Sequence, residues 1–423
     1  MNFFVGENST GKTSVMKLIN LFSQPLYSTS GEFDFNAPNI VMGYFEEIAN
    51  FGEDFFEIGI ENDSSNSEIK FLKLHFINNK GIPFLNGVSI FNHNIDIEIK
   101  IVEIDKQASE LFDIGYRYSL SHLETDTQFE FSTFEEWVKN DELQKSNFNP
   151  IGKSNFSSAS IVRNLIRMIR SIITSNKLIA NELSTLELLD FTPFAELKWF
   201  APIRTEPKRT YDNYVKTFRS DGEHTPYLLK ELLELENLDH NKINNNIEIF
   251  GKESGLYEKI EILSYGDTST APFEIRFLVN GHPLKITNLG YGVSQIIPII
   301  IEIVSRPPGE WFAIQQPEIH LHPRAQAAFG EFVYAYTTVG NNFIIETHSD
   351  YLIDRYRLCL NKQANRSAEN QKKFDSQIVF FKQTLDGNEL IIIPINEDGS
   401  YPEDQPKEFR EFFIKEQLDL LSI

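Results

Sequence analysis

The stretch Gly6-Glu7-Asn8-Ser9-Thr10-Gly11-Lys12-Thr13 decides how this chain is read. It fits the pattern GxxxxGK[ST] in full, which ordinary residue frequencies produce by chance in roughly one or two chains in a hundred of this length. The glycines let backbone N–H groups close round phosphates, and the positive end of the following helix adds to the attraction. Lys12 is placed to reach the terminal phosphates, and Thr13 to offer its hydroxyl to Mg²⁺. Gly6, Asn8, Ser9, Thr10, Gly11, Lys12, Thr13 and Ser14 are therefore candidate nucleotide-binding residues, with ATP and Mg²⁺ the expected ligands. The flanks agree, since residues 1–5 read as the end of a strand and residues 14–22 as a helix. The short lead-in predicts that a preceding strand is missing, through truncation or a late start codon.

Three further stretches lie towards the other end of the chain. Trp311-Phe312-Ala313-Ile314-Gln315-Gln316-Pro317-Glu318-Ile319-His320-Leu321-His322-Pro323 is an apolar strand that stops abruptly in polar groups. Ligands of open α/β sheets bind at the carboxyl ends of strands. Nucleotide hydrolases place carboxylates there to hold Mg²⁺ and orient water. Here both positions are amides, and Gln accepts a proton poorly. Phe343-Ile344-Ile345-Glu346-Thr347-His348-Ser349-Asp350 repeats the pattern, with Ser349 or Asp350 suited to cap a helix and His348 able to bond a terminal phosphate. A lone histidine is more often a bystander. Leu289-Gly290-Tyr291-Gly292-Val293-Ser294-Gln295 puts two glycines and a serine before a helix expected over residues 296–305. That is either an anion site or a plain cap, and Pro298 is close enough to the expected start to be tolerated.

Between these ends the pattern changes twice. From Phe51 to about Thr133 apolar and polar residues alternate, as in Phe56-Glu57-Ile58-Gly59-Ile60, which predicts antiparallel strands with one wet face. Residues near 158–192 and 225–248 show helical spacing, with an ordered loop at Ala201-Pro202-Ile203-Arg204-Thr205 between them. Strands return from Ile260, with an Asn280-Gly281 turn closing a hairpin. The expected division is residues 1–140, 141–255 (mostly helical) and 256–423, one interrupted domain with no internal repeat.

Composition narrows the function classes. There are 39 Lys and Arg against 61 Asp and Glu, a formal charge of −22, so nucleic acid is not indicated by charge. Basic residues at Arg204, Lys208 and Arg209, and between Lys362 and Lys373, read as solvated surface. The longest apolar run, near residues 296–304, is too short to span a bilayer, and no signal-peptide pattern opens the chain. A single cysteine, Cys359, excludes an intrachain disulfide and fits a reducing cytoplasm.

Taken in order, the four motifs resemble the ATPase head of the ABC-type, SMC-like class, specifically the OLD-type AAA ATPases of bacteria. Residues 6–13 resemble that family's Walker A, residues 290–295 its signature motif, residues 314–323 its Walker B and D-loop, and residues 347–350 its switch histidine. The resemblance implies an α/β fold, a mixed sheet with the P-loop plus an antiparallel β lobe and a helical insertion. It implies Thr13 and Gln315 at the metal, Gln316, Glu318 and His348 in the catalytic positions, and Gly292 and Ser294 meeting the γ-phosphate of a second copy. Two heads would pair on ATP as a homodimer or higher oligomer. Many such ATPases serve anti-phage systems such as Septu and some retrons, where a separate nuclease or toxin acts. Only about seventy residues follow His348, too few for the Toprim domain of OLD nucleases.

Gln315 and Gln316 depart from the family pattern, which has an acidic residue at the first position and Glu, or in some members Gln, at the second. Either Gln315 is an engineered replacement, or this is a natural ATPase that binds far better than it cleaves. A DNA-repair or chromosome-maintenance ATPase that clamps DNA directly is the competing reading, against which stand the charge and the absence of long heptad arms. A transporter subunit is a third.

Overall fold

In the computed structural model, the structure describes residues 1–24, 33–50, 52–62, 69–91, 95–104, 111–120, 133–139, 147–155, 164–165, 168, 171, 197–213, 215, 217–234, 238–268, 270–365, 375–385 and 387–420. The chain forms two compact units, one of Met1–Asn20 with Phe194–Ile423 and the other of Leu21–Pro193. The helix expected near 158–192 lies almost wholly outside the described residues.

The chain opens in the first unit with β1 (Asn2–Gly6) and α1 (Lys12–Phe22). The second unit holds α2 (Phe45–Ile48), β2 (Phe55–Glu61), β3 (Phe71–Asn79), β4 (Ile82–Phe91), β5 (Ile95–Ile104), β6 (Leu111–Leu120), α3 (Phe134–Val138) and β7 (Asn149–Asn155). The first unit resumes with β8 (Lys198–Phe200), α4 (Thr225–Glu234), α5 (Leu238–Ser254), β9 (Lys259–Ser264), β10 (Phe273–Val279) and β11 (His282–Lys285). It ends with α6 (Tyr291–Ser305), β12 (Trp311–Gln315), α7 (Pro323–Val339), β13 (Asn342–Glu346), α8 (Asp350–Ala364), β14 (Gln377–Thr384), β15 (Gly387–Pro394) and α9 (Lys407–Leu420).

The first unit is built on a six-stranded sheet in the order β15-β14-β1-β13-β12-β8. All neighbours are parallel except the edge pair β14–β15, so the sheet is mixed. The short apolar runs Phe3-Phe4-Val5, Phe312-Ala313-Ile314 and Phe343-Ile344-Ile345 are what a parallel strand buried on both faces requires. Their period of two sorts them into layers. Phe3, Val5, Phe312, Ile314, Phe343 and Ile345 join the large core with α6, α7 and α8, whereas Phe4, Ala313 and Ile344 pack with Met16 of α1 on the other face. Because β1, β12 and β13 are parallel neighbours, Gly6, Gln315 and Glu346 all end on one edge of the sheet. That edge is where the site forms.

Helix α6 is buried from Gly292 through Val304, which explains a run of seven Ile and Val in a helix without a wet face. It starts at Tyr291, five residues before the expected start, so Pro298 sits in its interior and not near its end. The only acid in it, Glu302, is buried and accepts from His224 Nε2 at 2.9 Å and Arg306 Nε at 2.8 Å. The hairpin β10–β11 turns on Asn280 and Gly281, both left-handed (φ 50° and 75°), as the Asn-Gly pair demands.

The second unit is a six-stranded antiparallel sheet in sequential order, β2 to β7. The alternation predicts the strands up to β6, whereas β7 lies in the stretch expected to be mostly helical. The expected single wet face holds for β2 but not for β4, which is buried on both faces from Phe84 to Phe91. The short helix α3 supplies cover, with Trp137 stacked on Phe71 and its Nε1–H donating to the buried Asp96 at 3.1 Å.

Candidate functional site

The loop after β1 takes its shape from left-handed residues. Gly6 has φ 148°, and a Cβ there would lie 2.2 Å from the Phe381 carbonyl oxygen, so only glycine fits. Ser9 (φ 64°) and Gly11 (φ 92°) complete the curl, and the Val15 N–H donates to the Gly11 carbonyl at 3.0 Å as α1 begins. Thr10 is buried, and its hydroxyl donates to the Glu7 carbonyl at 2.8 Å. Lys12 is buried as well, its Nζ donating to the carbonyls of Gly6 (2.9 Å) and Glu7 (2.6 Å), which holds the cation inside the loop. Burial lowers the Lys12 pKa, against the opposing pull of Glu346 and Glu7. Glu7, Asn8, Ser9 and Ser14 are exposed at the loop's rim.

Two strand ends stand beside this loop. Gln315 and Glu346 pair across β12 and β13 in register, and both are buried. The Thr13 hydroxyl lies 3.2 and 3.4 Å from the two Glu346 carboxylate oxygens. Gln315 Nε2 donates to Glu346 Oε2 at 2.9 Å and lies 3.4 Å from Thr13 Oγ1. Gln316 follows with a left-handed φ of 43° and donates its N–H to the Glu346 carbonyl at 2.8 Å. A bulky residue held there costs of order 1–3 kcal/mol, and such positions cluster at functional sites.

The strand end of β13 continues into Thr347, His348 and Ser349. Ser349 caps α8, accepting from the Leu352 N–H at 3.2 Å and donating to Gln326 Oε1 at 2.6 Å. The His348 N–H donates to Glu318 Oε1 at 2.6 Å, so these two expected catalytic residues are joined through backbone. Burial and then the Lys12 charge hold the His348 pKa below the ordinary histidine value, with Glu346 opposing, which leaves a neutral ring near the loop. Burial raises the Glu318 carboxyl against hydrogen bonds from the His348 and Thr347 side, and its Oε2 has no partner among the described residues.

The glycines and serine of α6 sit differently. A Cβ on Gly292 would lie 2.4 Å from the His320 carbonyl oxygen, so this glycine admits the chain leaving β12. Ser294 is buried, and its hydroxyl turns back to the Tyr291 carbonyl at 2.7 Å. The helix is linked to β12 through Arg204. Its backbone N–H donates to Gln295 Oε1 at 3.2 Å and its Nη2 to the Gln315 carbonyl at 2.9 Å. The reading of Arg204 as solvated surface is therefore wrong: it is 2% exposed, and burial lowers its pKa to about 10 against the attraction of Glu318, whereas Lys208 and Arg209 do stay exposed. Arg204 and Glu346 are the two site residues that motif reading missed. A cavity of about 370 Å³ lined by Tyr211, Tyr227, Lys230 and Phe273 contains none of these groups.

The donor set fits a magnesium nucleotide. The loop is curled by glycines, a lysine cation is held within it, and a hydroxyl and a carboxylate of the oxygen type that hard cations take stand side by side. A glycine-rich loop between strand and helix at the carboxyl edge of a mixed sheet defines a P-loop nucleotide-binding fold. The family described as "AAA domain, putative AbiEii toxin, Type IV TA system" matches residues 1–354, and this chain belongs to it. No curated protein matches the sequence. Similar solved structures include an Smc head domain with an extended coiled coil bound to the C-terminal domain of ScpA, from Pyrococcus furiosus (9% identity, 100% of this chain and 92% of that one, TM-score 0.35). Another is the SMC head domain from Thermotoga maritima (9% identity, 93% of this chain and 90% of that one, TM-score 0.30). Among the described residues no helix is long and apolar enough to cross a membrane.

Proposed function

We propose that this chain is a nucleotide-gated ATPase that binds ATP and Mg²⁺ at residues 6–13 and pairs head to tail with a second copy when ATP is bound. In this reading it is the sensor and scaffold of a bacterial anti-phage system whose nuclease or toxin is a separate chain. The observation that carries it is the gathering of Lys12, Thr13, Gln315 and Glu346, with His348 within electrostatic reach of Lys12, at the carboxyl ends of neighbouring parallel strands. The family's description names a "putative AbiEii toxin" of a Type IV TA system, which supports a toxin-linked role.

Each residue then has a task. Lys12 exchanges its loop carbonyls for phosphate oxygens, and the loop N–H groups of residues 8–14 bind the rest. Thr13 and one of the side chains that end β12 and β13 would hold Mg²⁺, which when bound offsets the charge of the phosphates. The neutral His348 ring hydrogen-bonds the terminal phosphate. Gln316 orients water, and Glu318, protonated more readily than a free carboxyl, backs His348 without being a strong base. Ser294 meets the γ-phosphate of the second copy once its hydroxyl leaves the Tyr291 carbonyl, and Gly292 lets the backbone approach. Closure on ATP and opening on its loss is a population shift whose driving force is the set of γ-phosphate contacts. The resemblance of its motifs to those of Septu and retron ATPases leads us to expect a separate effector.

A phage-challenge assay tests the role. A bacterial host carrying this gene with its native neighbours should resist infection, and Lys12→Ala should abolish resistance. Full infection in the presence of the intact locus across a broad phage panel contradicts the defence reading.

A further inference from the structure

We infer that Glu346, and not Gln315, supplies the side chain that faces the metal ion, so that the carboxylate expected at the end of β12 has moved one strand across to the end of β13. The inference rests on the ATP reading above and adds which residue holds the cation and why an amide is tolerated at Gln315.

The geometry argues as follows. Two oxygen ligands at right angles on Mg²⁺, each at about 2.1 Å, are about 3.0 Å apart. The Thr13 hydroxyl and Glu346 Oε2 are 3.2 Å apart, close to the separation of two adjacent ligands on one ion. Glu346 is 4% exposed and pairs in register with Gln315, so the two side chains leave the sheet side by side. The orientation of the Gln315 amide follows from its partner. A carboxylate only accepts, so the atom 2.9 Å from Glu346 Oε2 must be the NH₂ group, and the Gln315 carbonyl oxygen is the one that points away. Gln315 in this arrangement is a positioning residue that aims the carboxylate by donating to it. A Glu at both positions would set two carboxylates against each other with no proton between them, which accounts chemically for Gln beside Glu. Lys12 also feels Glu346, so this buried carboxylate acts on both the phosphate-binding cation and the metal position.

The test is the metal dependence of nucleotide affinity, read with a fluorescent ATP analogue titrated into the full chain in Mg²⁺ and in EDTA. The unmodified protein should bind at least about 10-fold more tightly in Mg²⁺, the scale on which groups supporting a bound metal act. Glu346→Gln should lose most of that ratio while keeping its affinity in EDTA, and the double variant Glu346→Gln/Gln315→Glu, which returns the acid to β12, should recover it. A Glu346→Gln protein that keeps the full Mg²⁺ ratio overturns the assignment while leaving ATP binding intact. Absence of binding by the unmodified protein in either buffer overturns the ATP reading itself. Should Glu346→Gln fail to fold, a crystal structure of the unmodified chain with Mg²⁺ and a non-hydrolysable ATP analogue decides. Glu346 facing the ion directly or through one water supports the assignment, and Gln315 Oε1 on the ion with Glu346 turned away refutes it.

Discussion

Replacing Lys12 by Met separates binding from folding because the two effects have different sizes. The Lys12 side chain is almost fully buried, and among the described residues its hydrogen bonds go to two loop carbonyls, at 2.9 and 2.6 Å. Burial lowers its pKa, meaning that the charge is held there at a cost. Met retains the apolar stem and removes that cost together with two hydrogen bonds, so the net change in folding stability should stay within about 1 kcal/mol. Nucleotide binding should respond far more. A hydrogen bond to a charged group contributes about 1.5–3 kcal/mol, and losing one such contact to phosphate weakens ATP by about 10- to 150-fold. Isothermal titration with ATP and Mg²⁺, beside urea unfolding of the same samples, measures both. A Lys12→Met protein that folds normally and binds ATP within about threefold of the parent refutes the reasoning, because it would place the phosphates elsewhere.

Further consequences follow from other buried groups. Burial, with Glu98 adding, pushes the Asp96 carboxyl up to about 7 from 3.8, against the Trp137 N–H and the charges of Lys73 and Arg117. The folded protein therefore keeps a proton that the unfolded chain releases, so stability falls as pH rises from about 4 through about 7, and Asp96→Asn should add up to about 4 kcal/mol at about pH 8. Urea unfolding on both sides of that window checks it, and an equal slope in parent and variant counts against it. Burial pushes Glu302 up, yet His224 and Arg306 together hold it below the usual carboxylate range, so its contribution is present above pH 4.5 and lost as pH falls below. Glu302→Ala leaves the buried His224 ring and the Arg306 guanidinium without their shared carboxylate and should cost about 3–5 kcal/mol near neutral pH, read as a lowered midpoint of denaturation. With amides at Gln315 and Gln316, steady-state ATP turnover should stay below about one per second, and a faster rate in a phosphate-release assay would show that the missing acids are not needed.

How much of this was legible in the sequence depends on how local each feature is. The loop at residues 6–13, the Asn280-Gly281 turn, the Ser349 cap and the three apolar strand ends were readable because neighbours in sequence determine them. The alternation of β2 and β3 declares an antiparallel sheet, but β4 carries polar Asn86 and Ser89 that are buried all the same. Gly290 and Gly292 read as a loop, which puts the expected start of α6 five residues after the observed one. Gly292 is helical, and its missing side chain makes room for the His320 carbonyl. Arg204 looked like surface because charge predicts exposure unless a partner is known, and its partner, the Gln315 carbonyl, is 111 residues away. Glu346 has no evident task within its motif, because only the register of β12 against β13 shows that it stands at Thr13 and Gln315.

The mass of the unmodified chain by native mass spectrometry, with and without ATP and Mg²⁺, tests the central claim most directly, since it counts chains and nucleotides together. The account predicts one chain without nucleotide and, with ATP, a species of two chains carrying two nucleotides, which Lys12→Met fails to form. A chain that stays single and empty in millimolar ATP would contradict it.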